Sequence, residues 1–493
     1  MLFNSFEYLC FLPVVLIIYF CIPRKGRYLW LLAASYFFYM CWNAAYALLL
    51  LFSTAVTYFC SLAMERISRS ENPRKSRHQK WIMIAGLVVN FGILFFYKYF
   101  NFTMVLVQGV MDIFRIQLHV PRFDIILPVG ISFFTFQAVG YMIDVYRGDV
   151  EVETNFFRYA LFVSFFPQLV AGPIERSKNL LHQLKDTDKY KFNFDYAVEG
   201  LLMILWGFFL KIVIADRAAI YVDNVFADVS AANGVSLIVA VFLFAIQIYC
   251  DFYGYSSIAV GSAKILGIQL MENFKAPYLS ASVSEFWRNW HISLTSWFKD
   301  YLYIPLGGSR KGTIRKYLNK MIVFLCSGLW HGASLTFVVW GGINGLYQII
   351  EEIFTPVRKF LERQRIIKSI YRVIAVIFTF VLIGFSWIFF RASTLTDAFA
   401  VIKTILYNTQ LSTLLNGSIL NYGLDQAHFY LMLFCIGLLF LADGWKRLGF
   451  SMQKWLKDKW ICWIVIAVSI FFILLFGVWG PAYSEASFIY FQF

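Results

Sequence analysis

The feature that most constrains this chain is a set of long stretches without a single charge: Tyr28 to Met64 runs for 37 residues, Val373 to Phe390 for 18 and Trp460 to Gly480 for 21. About 20 apolar residues in helical form cross the hydrocarbon core of a bilayer. Each stretch can therefore span, and the first can span twice, turning near Trp42 and Asn43. The 493 residues are 60% hydrophobic, 20% aromatic and 15% charged, with mean hydropathy +0.65, a balance no soluble domain with a water-facing surface reaches. The chain reads as an all-α polytopic membrane protein.

Met1 to Pro23 has neither a basic leader nor a small-residue cleavage site before Arg24, so it is expected to be a retained first span rather than a cleaved signal. Further spans are expected at Trp81 to Tyr97, Ile125 to Ile143, Phe156 to Val170, Leu201 to Ile214, and Ser236 to Ala259 interrupted by Asp251. Pro128, Gly130 and Gly140 punctuate one of these, Pro167 and Gly172 to Pro173 end another, and Gly341 to Gly342 are expected to split the stretch 321 to 350. Broken helices at membrane depth are tolerated where they line a protein-enclosed cavity. Ten to twelve membrane segments, transmembrane or re-entrant, follow from this reading. No linker, repeat or low-complexity tract divides them, so residues 1 to 493 are expected to form one membrane domain.

The net charge of +14 is concentrated in short loops. Glu65 to Lys80 carries six Lys/Arg, Arg310 to Lys320 five, Pro356 to Arg372 six and Lys446 to Lys459 five, against four acidic residues in all. Insertion topology and an anionic inner leaflet explain such loops without nucleic acid, and place all four in the cytoplasm. Counting spans from them puts the N-terminus, the 391 to 427 loop and the last residues outside. The eight cysteines stand singly in or beside apolar runs, without a C-x-x-C pair, and read as small core residues.

Of six histidines, His78 lies in a basic loop, His119 and His182 in polar surroundings and His428 at a span start. His331, in Cys326-Ser327-Gly328-Leu329-Trp330-His331-Gly332, follows Lys320 by eleven residues, which at 1.5 Å per residue is roughly 16 Å of depth. An intramembrane ionisable residue is a functional candidate, and a neutral imidazole can accept a hydroxyl proton near pH 7. His291 lies in a stretch where Trp287, His291, Leu294, Phe298 and Tyr301 recur at helical spacing, so a single amphipathic helix is expected over 285 to 301. Two histidines 40 residues apart, with no carboxylate cluster, make no metal site. A Gly-x-Ser-x-Gly nucleophile elbow and a phosphate-binding loop are both absent.

The strings Leu127-Pro128-Val129-Gly130-Ile131-Ser132-Phe133-Phe134-Thr135-Phe136-Gln137, Phe166-Pro167-Gln168-Leu169-Val170-Ala171-Gly172-Pro173, Asp251-Phe252-Tyr253-Gly254, Phe286-Trp287-Arg288-Asn289-Trp290-His291 and Gly328-Leu329-Trp330-His331-Gly332 resemble the alginate O-acetyltransferase branch of the membrane-bound O-acyltransferases. The resemblance is strong over about residues 120 to 350. The spans of 1 to 119 and those of 351 to 493, with the terminal Phe488-Ile489-Tyr490-Phe491-Gln492-Phe493, suit the family less diagnostically.

The resemblance implies a ring of tilted helices around a central tunnel, with His331 catalytic and His291 lining the same tunnel. It implies a cytoplasmic acyl donor, acetyl-CoA or another acyl thioester, with no bound cofactor. It also implies a polysaccharide acceptor and an extracytoplasmic partner acyltransferase or esterase-like protein, all within membrane lipid. Trp287, Arg288, Asn289, Lys299 and Trp330 are candidates to line the tunnel or bind the donor, Arg288 and Lys299 through its phosphates. Asp251, Glu285 and Asp300 are candidates to orient the histidines or the donor, with structural ion pairing as the equal alternative. Terminal motifs in related D-alanylation systems add Tyr490 as an acyl-carrying hydroxyl, against an interfacial anchor. The alternatives are D-alanyl transfer to teichoic acid, and transport of an acyl group or glycan precursor without bond chemistry.

Overall fold

The structure is a computed structural model that describes the chain except residues 72, 117–120, 122, 171, 364, 451–458, 480–487 and 492–493. His119, part of the Lys446 to Lys459 loop and the last two residues of the terminal motif therefore lie outside the described residues. Among the described residues every regular element is helical. Six helices are long and apolar enough to cross a membrane: Ala44–Ser68, Lys75–Ile113, Phe194–Ala227, Gly234–Ile265, Ile370–Arg391 and Gln426–Arg447, with Phe6–Cys21 and Trp460–Phe476 apolar but shorter. The chain divides into two compact units, Met1–Leu201 with Ala259–Met271, and Leu202–Ile258 with Glu272–Phe493.

In the first unit the turn expected near Trp42 is made by Asn43, whose side chain accepts the Ala45 N–H at 2.9 Å and starts Ala44–Ser68. Its core is Ile131–Arg147, buried along almost its whole length. Gly130, in the left-handed region at φ 74°, starts this helix, and Gly140 does not interrupt it. A lone glycine costs a helix only about 1 kcal/mol, too little to break one packed on all sides. Phe156–Ser164 does end at Phe165, ahead of the short turn Phe166–Leu169 with Pro167 in its first positions. Polar pairs tie the unit together inside the apolar phase: Ser53 Oγ to Asn90 Oδ1 at 2.5 Å, Tyr159 Oη to Thr57 Oγ1 at 2.7 Å, and Tyr8 Oη with Ser262 Oγ at 2.7 Å.

In the second unit the stretch 321 to 350 enters and returns as expected, but at a different place. Thr313–His331 ends at the extended Gly332, and Ser334 caps Leu335–Ile353 through the Thr336 N–H at 3.3 Å. Gly341 and Gly342 lie inside the returning helix. Gly341 is a crossing point: a Cβ there would stand 2.3 Å from the Phe324 carbonyl oxygen, and one at Gly328 2.2 Å from that of Phe337. Asp251 does not interrupt its helix either, which runs unbroken from Gly234 to Ile265.

Cys250, Cys435 and Cys462 are buried, but Cys10, Cys21 and Cys41 are exposed. They stand among exposed Phe6, Ile17 and Phe37, an apolar surface suited to lipid rather than a core.

Candidate active site

The expected helix over 285 to 301 is three pieces. Val283–Asn289 is capped by Ser282, whose hydroxyl accepts the Glu285 N–H at 3.1 Å; Ile292–Phe298 follows; Lys299–Tyr303 is wound as a π-helix. Between the first two stands His291 at φ 43°, ψ 54°, a left-handed conformation that few side chains tolerate. Asn273 holds the kink: its carbonyl accepts the Ile292 N–H at 3.0 Å and its side-chain oxygen accepts the Ser293 hydroxyl at 2.7 Å. Trp290, fully buried among Tyr249, Phe274, Phe286 and Trp387, anchors the same corner. The left-handed residue turns the imidazole inward, which spacing alone could not show.

His331 is the last residue of its helix and 4% exposed; His291 is 1% exposed. The His331 ring lies 4.9 Å from Trp330, 5.1 Å from Trp340 and 5.3 Å from Phe390, centroid to centroid. Tyr490, from the short turn Ile489–Phe491, places its ring 5.3 Å from His331 and 6.3 Å from His291. Its phenol oxygen is buried with no hydrogen-bond partner among the described residues. Both histidines line a cavity of about 270 Å³, with Trp287, Arg288, Lys299 and Ser327 among its other walls. Among the described residues no carboxylate lines it, so two cations set its charge.

A cavity lined by two imidazoles and two cations, with the Tyr490 ring packed against both imidazoles, suits proton transfer from a hydroxyl to an imidazole beside an anionic ligand. The described residues hold no cluster of three metal-binding side chains.

The model of the membrane-bound O-acyltransferase family matches residues 151–391, which include both histidines. The probable alginate O-acetylase of Pseudomonas putida is 37% identical over 400 residues, 80% of this chain and 78% of the relative. The chain belongs to the membrane-bound O-acyltransferase family. It is accordingly an O-acyltransferase that crosses the membrane several times. The peptidoglycan O-acetyltransferase of Helicobacter pylori is 31% identical across 100% of this chain and 98% of its own. The teichoic acid D-alanyltransferase of Bacillus subtilis is 28% identical over 46% of this chain and 59% of its own, a more distant likeness.

Of the residues singled out in the sequence of this acyltransferase, His331, His291, Trp287, Arg288 and Lys299 meet at the cavity, and Trp330 packs between the two imidazoles, 5.8 Å from His291. The others do not line it. Asn289 donates its side-chain amide to Ser280 Oγ at 3.3 Å, Glu285 pairs with Arg447 and accepts the Ala281 N–H at 2.8 Å, and Asp300 lies on the π-helical turn. Asp251 pairs with Lys211, 2.7 Å away. Lys211, Trp340 and Phe390 were not singled out. A lysine inside the apolar run Leu201 to Ile214, five residues before Asp216, was the available signal for the first.

Proposed function

We propose that this protein moves an acyl group, most simply acetyl, from a cytoplasmic thioester donor such as acetyl-CoA onto hydroxyls of a cell-envelope or exported polysaccharide. His331 is the base and Tyr490 the relay. The observation that carries the reading is the packing of the Tyr490 ring against both His331 and His291, at 5.3 Å and 6.3 Å, beside the cavity that the two histidines line.

The neutral His331 imidazole takes the Tyr490 hydroxyl proton as the phenol oxygen attacks the thioester carbonyl. The carbon–sulfur bond breaks, the thiolate leaves with that proton, and an acyl ester remains on Tyr490. An acceptor hydroxyl then gives its proton to the imidazole and attacks the ester, and the phenolate leaves and recovers the proton. Arg288 and Lys299 supply the charge that a donor's phosphates need.

The acceptor class is supported by the two relatives named as O-acetylating enzymes of alginate and of peptidoglycan. Acetyl over D-alanyl is supported by the cavity itself, whose cations oppose the ammonium of an aminoacyl group. The positive-inside rule orients the chain with the Arg310 to Lys320 loop in the cytoplasm and both ends outside. An extracytoplasmic partner that completes delivery to the polymer fits that orientation.

Mass spectrometry of envelope polysaccharides tests the reading in cells with wild type, His331→Ala, Tyr490→Phe or no copy. Ester-linked acetyl should fall by about a hundredfold or more in His331→Ala, with the protein still in the membrane, and as far in Tyr490→Phe. Unchanged esters in His331→Ala overturn acyl transfer through this site. Loss in His331→Ala alone keeps the transferase and removes the relay.

A further inference from the structure

Sequence periodicity does not explain why residues 488–491 come to rest against histidines 157 and 197 positions earlier. The answer begins where two antiparallel helices touch. A Cβ at Gly207 would stand 2.6 Å from the Gly254 carbonyl oxygen, and one at Gly254 2.8 Å from that of Gly207. One turn onward on each helix, Lys211 Nζ meets Asp251 Oδ1 at 2.7 Å, and it also meets Asp216 Oδ1 at 2.8 Å. All three side chains are buried, Lys211 at 1% exposure.

A buried ammonium requires a counter-ion, and Asp216 already is one. The second carboxylate is surplus to that charge balance, and its free oxygen has another use: Asp251 Oδ2 accepts the Ile489 N–H at 2.7 Å.

The same element receives the chain a second time. Phe209–Ala215 is wound as a π-helix, a form concentrated at functional sites. Its Ile212 carbonyl accepts the Val478 N–H at 2.8 Å, and Arg217 Nη2 donates to the Phe476 carbonyl at 2.7 Å. Phe488 then stacks on Tyr255 at 4.4 Å and on Tyr490 at 5.4 Å.

We propose that Lys211 and Asp251 are positioning residues that dock the Phe488–Phe491 segment so that the Tyr490 ring stays packed against His291 and His331. The consequence for catalysis rests on Tyr490 being the relay; the docking itself does not.

Hydrogen exchange of the full chain in detergent micelles, followed by mass spectrometry of the peptide containing Ile489, reads the dock directly. Asp251→Ala should speed exchange at Ile489 at least about tenfold, the loss of one charge-assisted hydrogen bond, and lower acylation comparably. Asp251→Asn has the same charge balance as the alanine variant but keeps an acceptor oxygen, and should restore both. Lys211→Met, which leaves two buried carboxylates without their cation, should also loosen the segment.

In each variant the peptides of Gly234–Ile265 should stay protected, which separates undocking from unfolding. Slow exchange at Ile489 in both Asp251→Ala and Lys211→Met overturns the dock, and fast exchange with undiminished acylation overturns its role in positioning. Tyr490→Phe should leave Ile489 protected. If it also leaves acylation unchanged, the relay fails while the dock stands.

Discussion

His291 holds a backbone conformation, φ 43°, that asparagine adopts readily and a β-branched residue does not. This allows its two roles to be separated. His291→Asn should melt within a few degrees of wild type in detergent and yet lower acyl transfer at least about tenfold, since it keeps the kink and removes the imidazole. His291→Val should lose both. An asparagine variant with full activity would reduce His291 to a corner residue.

Trp340 raises a different question, because its ring is one wall against which His331 packs. Trp340→Leu should admit propionyl or butyryl groups that wild type refuses, seen as heavier esters when cells are supplied with the corresponding acids. At this scale the sequence was informative wherever a residue was chemically rare, as the two histidines were. It was silent on Trp340 and Phe390, because in a chain that is one-fifth aromatic no single ring stands out.

Among the elements, spans were legible because an uncharged run long enough to cross a bilayer has few other stable fates. Ala44–Ser68 and Ile370–Arg391 appear where the runs placed them, and Gln426–Arg447 begins beside His428, read as a span start. Breaks were legible only where proline or a capping residue acts locally, as at Asn43 and Pro167. A glycine in an apolar helix has two opposite meanings, a break or a close crossing, and only the partner helix decides which. That partner is remote in sequence or hidden in the return of the chain, as with Phe324 against Gly341.

The crossing predicts its own mutational signature. Gly328 stands three residues before His331, and Gly328→Val would drive a side chain into the Phe337 carbonyl at a cost of about 1–3 kcal/mol. It should show as a lower melting temperature together with lost acylation. Gly342→Ala adds a methyl that meets only Leu325 Cδ2 at 3.8 Å. It should change neither, although it is the immediate neighbour of the crowded Gly341.

For the molecule as a whole, the proposed reaction brings donor and acceptor from opposite faces, so the sidedness of the chain tests the mechanism. Lys299 lines the cavity and precedes the basic loop beginning at Arg310 by eleven residues. A cavity fed from the side of that loop would draw an anionic thioester from the cytoplasm. In the proposed orientation the span Ile370–Arg391 leads out, which puts the loop containing Asn421 on the far side.

Both Arg310 and Asn421 are exposed. Single cysteines at these positions, in a chain whose eight native cysteines are replaced, can therefore be scored with a membrane-impermeant maleimide on spheroplasts. Asn421→Cys should label in intact spheroplasts, and Arg310→Cys only after permeabilisation. The reverse pattern would turn the basic loop outward against its charge and leave a cytoplasmic donor on the wrong side of the basic loop. Acyl transfer through His331 would then have to start from a donor already exported.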